Sequence, residues 1–371
     1  MRKLCLSAVF VLALALAAAP VLAENVIYPD DFPPNVLQAG GGYTLVVAPS
    51  NSDTGKSPSL SGNIITFNSG TVNYVFGAVN ANPGDTDIVE GNQVFIKGGT
   101  VDKAVWGGLG EDCVVTGNSV TVSGGSGMNE EVIGGYSNNN RAINNSVTVT
   151  GGTINMPVYG GLAGGHATGN TVTISGGTLM VGVAGGSSVV GGGNATGNTV
   201  IINGAPTFVA GYEIYGGVTV GGDEISGNTL KLGTSIPITV KKVANFEHYE
   251  FSIPASVGNG GTVLTVTDPV DLSGTTLDIT GTGKVKNGYT ITLISNVTGA
   301  APSTILDADI VTSSGTWRFS IAGGALTATA VSVPSSGGGG GGCNVSGGDD
   351  VSVLFCILAL AALGVYRRVR A

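Results

Sequence analysis

Between residues 61 and 235 the apolar positions follow two nested periods. The short one is two. After each of seven asparagines, Asn63, Asn92, Asn118, Asn145, Asn170, Asn198 and Asn228, the second and fourth residues are apolar: Ile65 and Phe67, Val94 and Ile96, Val120 and Val122, Val147 and Val149, Val172 and Ile174, Val200 and Ile202, Leu230 and Leu232. Side chains on a strand alternate between its faces, so these rows point inward while Ser119, Thr121, Ser146, Thr148, Thr171 and Thr173 point to solvent. The long period is the spacing of the asparagines, 29, 26, 27, 25, 28 and 30 residues, the length of one three-sided solenoid turn. One turn cannot bury its own apolar row, and only stacking makes a core. The pattern predicts an all-β, right-handed parallel β-helix (β-solenoid) of about seven coils, roughly 34 Å long at about 4.8 Å per coil.

The asparagines share the inward parity of the apolar rows, which predicts a stacked ladder of amides at one corner, each bonding its neighbour one coil away. The alternative is a turn residue in a left-handed conformation; either role is structural. Glycine pairs close the strand at Gly98-Gly99, Gly124-Gly125, Gly151-Gly152 and Gly176-Gly177, and a second set follows at Gly107-Gly108, Gly134-Gly135, Gly160-Gly161 and Gly185-Gly186. These mark two corners per coil, where positive φ or close backbone approach is needed. Val105, Val132, Val158 and Val183 lie between them as a second wall.

Residues 24–60 form an N-terminal cap in this reading and 61–235 the β-helix repeats. After Leu232 the period dissolves, although Tyr289, Ile291 and Leu293, and Trp317, Phe319 and Ile321, still alternate. Residues 236–333 are therefore a β-rich C-terminal region, either irregular coils or a small capping sheet.

The two ends read as addresses. Arg2 and Lys3 precede an apolar run, and Val21-Leu22-Ala23 offers small residues to signal peptidase, so residues 1–23 are a signal peptide cut after Ala23. Residues 334–350 are a Gly/Ser-rich linker, 351–366 a transmembrane or sorting helix, and 367–371 a cytoplasmic basic tail with Arg367, Arg368 and Arg370. The positive-inside rule keeps those arginines in the cytoplasm and the repeats outside. The order of glycine run, Cys343, apolar segment and terminal arginines resembles the Synerg-CTERM type of C-terminal sorting signal, akin to GlyGly-CTERM tails. That resemblance covers 335–371 and implies processing at Gly342 and Cys343 by a membrane sorting protease. Cleavage, lipid attachment and retention as an anchor all stay open, as does an incidental linker thiol at Cys343. Residues 245–254, with Leu272-Ser273-Gly274 and 289–295 behind them, resemble the end of adhesin-like autotransporter passengers, and the whole chain an adhesin-like β-strand-repeat surface protein.

Composition narrows the function. Glycine is about a sixth of the chain, with 64 residues, and charged residues are scarce at 11%. From residue 24 to 342 there are 22 acidic against 10 basic side chains, which disfavours nucleic acid as a partner. The four cysteines, Cys5, Cys113, Cys343 and Cys356, sit in different settings and build no disulfide framework.

Chemistry is sparse. Thr54-Gly55-Lys56-Ser57 echoes the end of a phosphate loop, but Ser50 replaces the first glycine. The repeats lack the aspartate of a calcium-binding nonapeptide. His166 lies in a glycine corner, and His248 shares a strand face with Glu250. Asp85, Asp87 and Glu90, then Glu111 and Asp112, then Glu130 and Glu131 are the candidate carboxylates of a polysaccharide lyase or hydrolase, with Arg141 in the following coil; only the first two groups fall close enough in phase to adjoin. Trp106 and Tyr159 have the phase of a sugar-stacking stripe or of corner packing.

The expectation is an exported, non-enzymatic surface protein, structural or adhesin-like, without cofactor or metal, held in the cell envelope at least transiently by its tail. Its partners would be signal peptidase, the membrane, a sorting protease and a host or matrix glycan or protein. The alternative is a carbohydrate-active β-helix enzyme.

Overall fold

A computed structural model describes residues 25–28, 36–39, 43–47 and 60–333, the last stretch without 82, 222, 223 and 300–307. Every regular element among them is a β-strand, as the Val-, Thr- and Gly-rich sequence favours.

The chain winds as a parallel solenoid. Its first wall is a sheet of ten strands: Asn25–Tyr28, Ile64–Phe67, Gln93–Ile96, Ser119–Val122, Ser146–Val149, Thr171–Ile174, Thr199–Gly204, Thr229–Thr234, His248–Ser252 and Thr276–Gly281. Pairing is parallel and in register, so Val94, Val120, Val147 and Val172 form one column. The second wall runs through Tyr74–Phe76, Val105–Trp106, Val132–Ser137, Val158–Ala163, Gly182–Ser188, Glu213–Thr219 and Lys242–Ala244. Short ladders of two-residue strands join the walls, for example Val115–Thr116, Ala142–Ile143 and Ala167–Thr168. A coil thus has two long walls and short joins rather than three equal sides.

Ten strands stack in the first wall, about nine turns, three strands more than the seven that follow a ladder asparagine. The additional strands are Asn25–Tyr28, His248–Ser252 and Thr276–Gly281.

The inward row from Ile65 to Leu232 is at most 2% exposed, and Val75, Val105, Val132, Val158 and Val183 meet it from the second wall. Past Leu232 the core continues with larger side chains. Tyr249 and Phe251 stack on Leu230 and Leu232, and Leu277 and Ile279 follow.

Residues 236–333 both continue the winding and end it. Ile238–Val240, Thr262–Val266 and Thr290–Ile294 pair in parallel; then Ala325–Ser332, Gly315–Ala322 and Asp309–Thr312 close the sheet antiparallel. The turn at Ser313 and Ser314 reaches back to the last strand of the first wall. Ser313 donates from N and Oγ to the Asp278 carboxylate at 2.9 and 2.6 Å, and Ser314 Oγ donates to the Ile279 carbonyl. The Ile279 carbonyl on that terminal edge is thereby capped.

Candidate functional site

The most ordered polar feature is the column of seven asparagines, all 0% exposed. Each Oδ1 from Asn92 to Asn228 accepts two bonds from the preceding asparagine, one from its Nδ2 and one from its backbone N–H. Asn118 donates to Asn145 at 3.1 and 3.0 Å, and Asn145 to Asn170 at 3.2 and 2.9 Å. From Asn92 onward, the second Nδ2 proton goes to a carbonyl one coil back, such as Val115 for Asn145 at 2.9 Å. A buried amide costs several kcal/mol when unpaired, roughly 2–7 depending on the reference state; here both its donors and its acceptor are used.

The column continues where the asparagines stop. Asn228 N–H donates to the Glu247 carboxylate at 2.8 Å, 19 residues on, and the next slot holds Thr275, 1% exposed, whose Oγ1 donates locally to the Leu272 carbonyl at 2.9 Å. The sequence carried a signal for both. Tyr249 and Phe251 stand two and four residues after Glu247, and Leu277 and Ile279 stand two and four after Thr275.

The ladder also explains the second set of glycine pairs, and the explanation differs from a corner. Gly134-Gly135 and Gly160-Gly161 lie inside the second-wall strands Val132–Ser137 and Val158–Ala163. A Cβ on Gly135 would sit 2.4 Å from the Asn145 amide, so the missing side chain makes room for the ladder. Only the first set turns the chain through the left-handed region, as at Gly152 with φ 83°. The residue before each ladder asparagine needs that region too, and where glycine is absent Asn144 adopts φ 54°.

The acidic candidates separate. Asp85, Asp87, Glu111 and Asp112 gather at one corner: Asp112 accepts from Gly84 N at 2.6 Å and from Asn139 Nδ2 at 2.7 Å, and Glu111 accepts from Asn138 Nδ2 at 2.7 Å. These bonds, the Gly84 N–H foremost, hold the Asp112 carboxyl below its ordinary range. Beneath them Cys113 is buried, and desolvation with Asp85 nearby pushes its thiol up to about 11, away from the reactive thiolate. Glu130 is elsewhere, paired with Lys103 at 3.2 Å, and Glu131 lies near Tyr159. Glu90 is exposed beside the ladder corner, and Arg141 is exposed with its carbonyl in the backbone ladder. The asparagine partners Asn138 and Asn139 carry no chemical signal of their own in the sequence; Asn138-Asn139-Asn140 simply stands one coil after Glu111-Asp112.

His166 Nδ1 accepts from Asn194 N at 3.1 Å, and His248 Nδ1 bonds Thr276 Oγ1 at 2.6 Å while Glu250 pairs with Lys231 at 2.9 Å. His248 and Glu250 thus share a face but not a task. Trp106 and Tyr159 occupy one outward column two coils apart, with Ile133 between them. Trp106 is 4% exposed and packs between Phe76 and Tyr136 at 5.0 and 5.3 Å, a packing role that leaves no open ring face for a sugar. A further cluster joins Glu213 to Lys241 at 2.6 Å and to the Tyr215 hydroxyl at 2.7 Å; burial, then the bond to Glu213, pushes Tyr215 up to about 12.

Ala23, Gly342, Cys343, Arg367, Arg368 and Arg370 lie outside the described residues, as do the signal-peptide, linker and tail-helix segments and Thr54-Gly55-Lys56-Ser57. Among the described residues no helix is long and apolar enough to cross a membrane, and no group of three or more His, Cys, Asp or Glu could hold a metal ion. No protein-family model matches the chain, and neither a curated protein nor a solved structure matches it.

Proposed function

We propose that the chain is exported and displayed at the cell surface as a non-enzymatic structural or adhesin-like rod, delivered by the leader cut after Ala23 and sorted or anchored through Gly342, Cys343 and the terminal Arg367, Arg368 and Arg370. One observation carries the reading. Seven successive coils spend their inward positions on the same asparagine and the same two apolar rows, so variety is confined to outward faces and corner loops, as a display scaffold requires. The carboxylates at the acidic corner act as acceptors for backbone and asparagine amides, a use that favours scaffold over proton transfer.

Protease shaving of intact cells, with mass determination of the fractionated protein's two ends, tests it. The expected result is cleavage in outward loops of intact cells and a chain beginning at Glu24; its C-terminus then distinguishes a cut near Gly342 from a retained anchor. Full-length protein found in the cytoplasm with residues 1–23 attached sinks the proposal.

The carbohydrate-active reading keeps one supporting observation, the convergence of Asp85, Asp87, Glu111 and Asp112 from two adjacent coils. Incubating the full chain with acidic polysaccharides, with and without calcium, should release no new ends; product that disappears in Asp112→Asn would favour the enzyme.

A further inference from the structure

The outer face of the first wall carries two columns of hydroxyls. Ser119, Ser146, Thr171, Thr199 and Thr229 align in five successive coils, and Thr121, Thr148 and Thr173 align beside them. None of these eight hydroxyls has a partner within the described protein, although all belong to one rigid, fully paired sheet. The adjoining column behaves differently. There Ser123, Thr150 and Ser175 turn back to the Ile96, Val122 and Val149 carbonyls of the coil before.

The eight hydroxyls do not bond one another, although stacked hydroxyls can meet where their rotamers tilt together, as Thr168 and Thr196 do at 3.4 Å. Left at the strand repeat of about 4.8 Å, two hydroxyls stand too far apart for a direct bond of about 2.8 Å. A water making two such bonds at its tetrahedral angle spans roughly 4.6 Å between its partners. One water fits between each vertical pair left at that spacing, and a file of such waters along each column would repeat with the coils. In ice, two oxygens that share a water neighbour stand at that same roughly 4.6 Å by the same geometry.

Charge and area choose the occupant. No charged side chain interrupts the two columns between Ser119 and Ile201, in a chain whose net charge is −9, and charge returns only at Lys231 and Glu250. A polyanion, a polycation or a charged protein surface finds no complement there. The two columns cover on the order of 300 Å², well short of the roughly 800 Å² per partner that a stable pair of copies needs. No aromatic ring stands on these two columns to stack a sugar, since Phe95, in register with Thr121, lies one coil outside. We infer that this face binds ice, ordering water on its hydroxyl columns so that the protein adsorbs to a growing crystal. The inference does not depend on where the protein resides.

The test is partition of purified full-length protein, in one non-ionic detergent throughout, into a slowly growing ice shell. Beside it run Thr148→Val, which keeps shape and β propensity while deleting the central hydroxyl, Thr148→Lys, and Val311→Lys, a control on the cap at a residue 82% exposed. Circular dichroism and melting identify any variant that has lost the fold. Enrichment in ice should fall about tenfold in both Thr148 variants, and Val311→Lys should match the wild type. Equal partition of all four proteins overturns the inference. So does Thr148-dependent retention on insoluble cellulose or chitin without enrichment in ice, which would assign the face to a neutral polysaccharide.

Discussion

The coils from Asn63 to Asn228 and the turns after them wind about the same axis of stacked strands, yet only the first group has a readable period. In the regular coils each inward asparagine bonds its neighbours above and below. Within the run each amide needs an acceptor on one side and a donor on the other, and asparagine supplies both at every height. After Asn228 the same slot holds Glu247 and then Thr275, and the core is filled by Tyr249, Phe251, Trp317 and Phe319. Apolar packing asks for volume rather than identity. A fold can therefore continue after its sequence signature has ended.

The same slot in the two regions offers the sharpest break. Asn145→Ala strips an acceptor from two Asn118 donors and a donor from the Val115 carbonyl. It should cost about 3 kcal/mol, read as a drop in the urea midpoint of the full-length chain. Thr275→Ala removes one local bond to Leu272 and should cost about 1 kcal/mol. Equal losses would show that the ladder is no more demanding than the region that follows it.

Tyr212 sharpens the comparison from the opposite direction. It is 0% exposed, stacks on Phe208 at 4.3 Å, and its hydroxyl has no partner among the described residues. Tyr212→Phe removes an unsatisfied polar atom and should leave the chain as stable or up to about 1 kcal/mol more so; destabilisation in the same urea titration would contradict this.

The smallest effect concerns the acidic corner. Asp112 is held below the ordinary carboxyl value by Gly84 N–H and Asn139. Its contribution is therefore present above the unfolded value of about 3.9 and fades as pH falls through the lower folded one. Between neutral pH and about pH 3 the wild type should lose slightly more stability than Asp112→Asn, and parallel curves of midpoint against pH would remove Asp112 from the account.

The seven asparagines with their paired apolar residues made the walls, the inward rows and the register legible, because each is repeated under the same vertical constraint. The last two turns were hidden because Glu247 and Thr275 kept the alternation without the asparagine. The first set of glycine pairs is legible as corners, but the second set is not legible as room for the ladder, since the Asn145 amide that excludes a Cβ at Gly135 is 10 positions away in the chain and adjacent only once the coil closes. At the acidic corner the carboxylates stood out, whereas Asn138 and Asn139, which occupy them, are ordinary loop residues until the coils stack.

Unequal asparagine spacings leave the walls untouched. From Asn145 to Asn170 the chain takes 25 residues and from Asn170 to Asn198 it takes 28. Ala163 still faces Ser188 and Ala167 still faces Ala195, so the extra three residues all fall in one corner segment, 189–194 against 164–166. That corner is a place where length can be added without the scaffold registering the change, much as a bracket accepts fittings of different size while the rail behind it stays fixed.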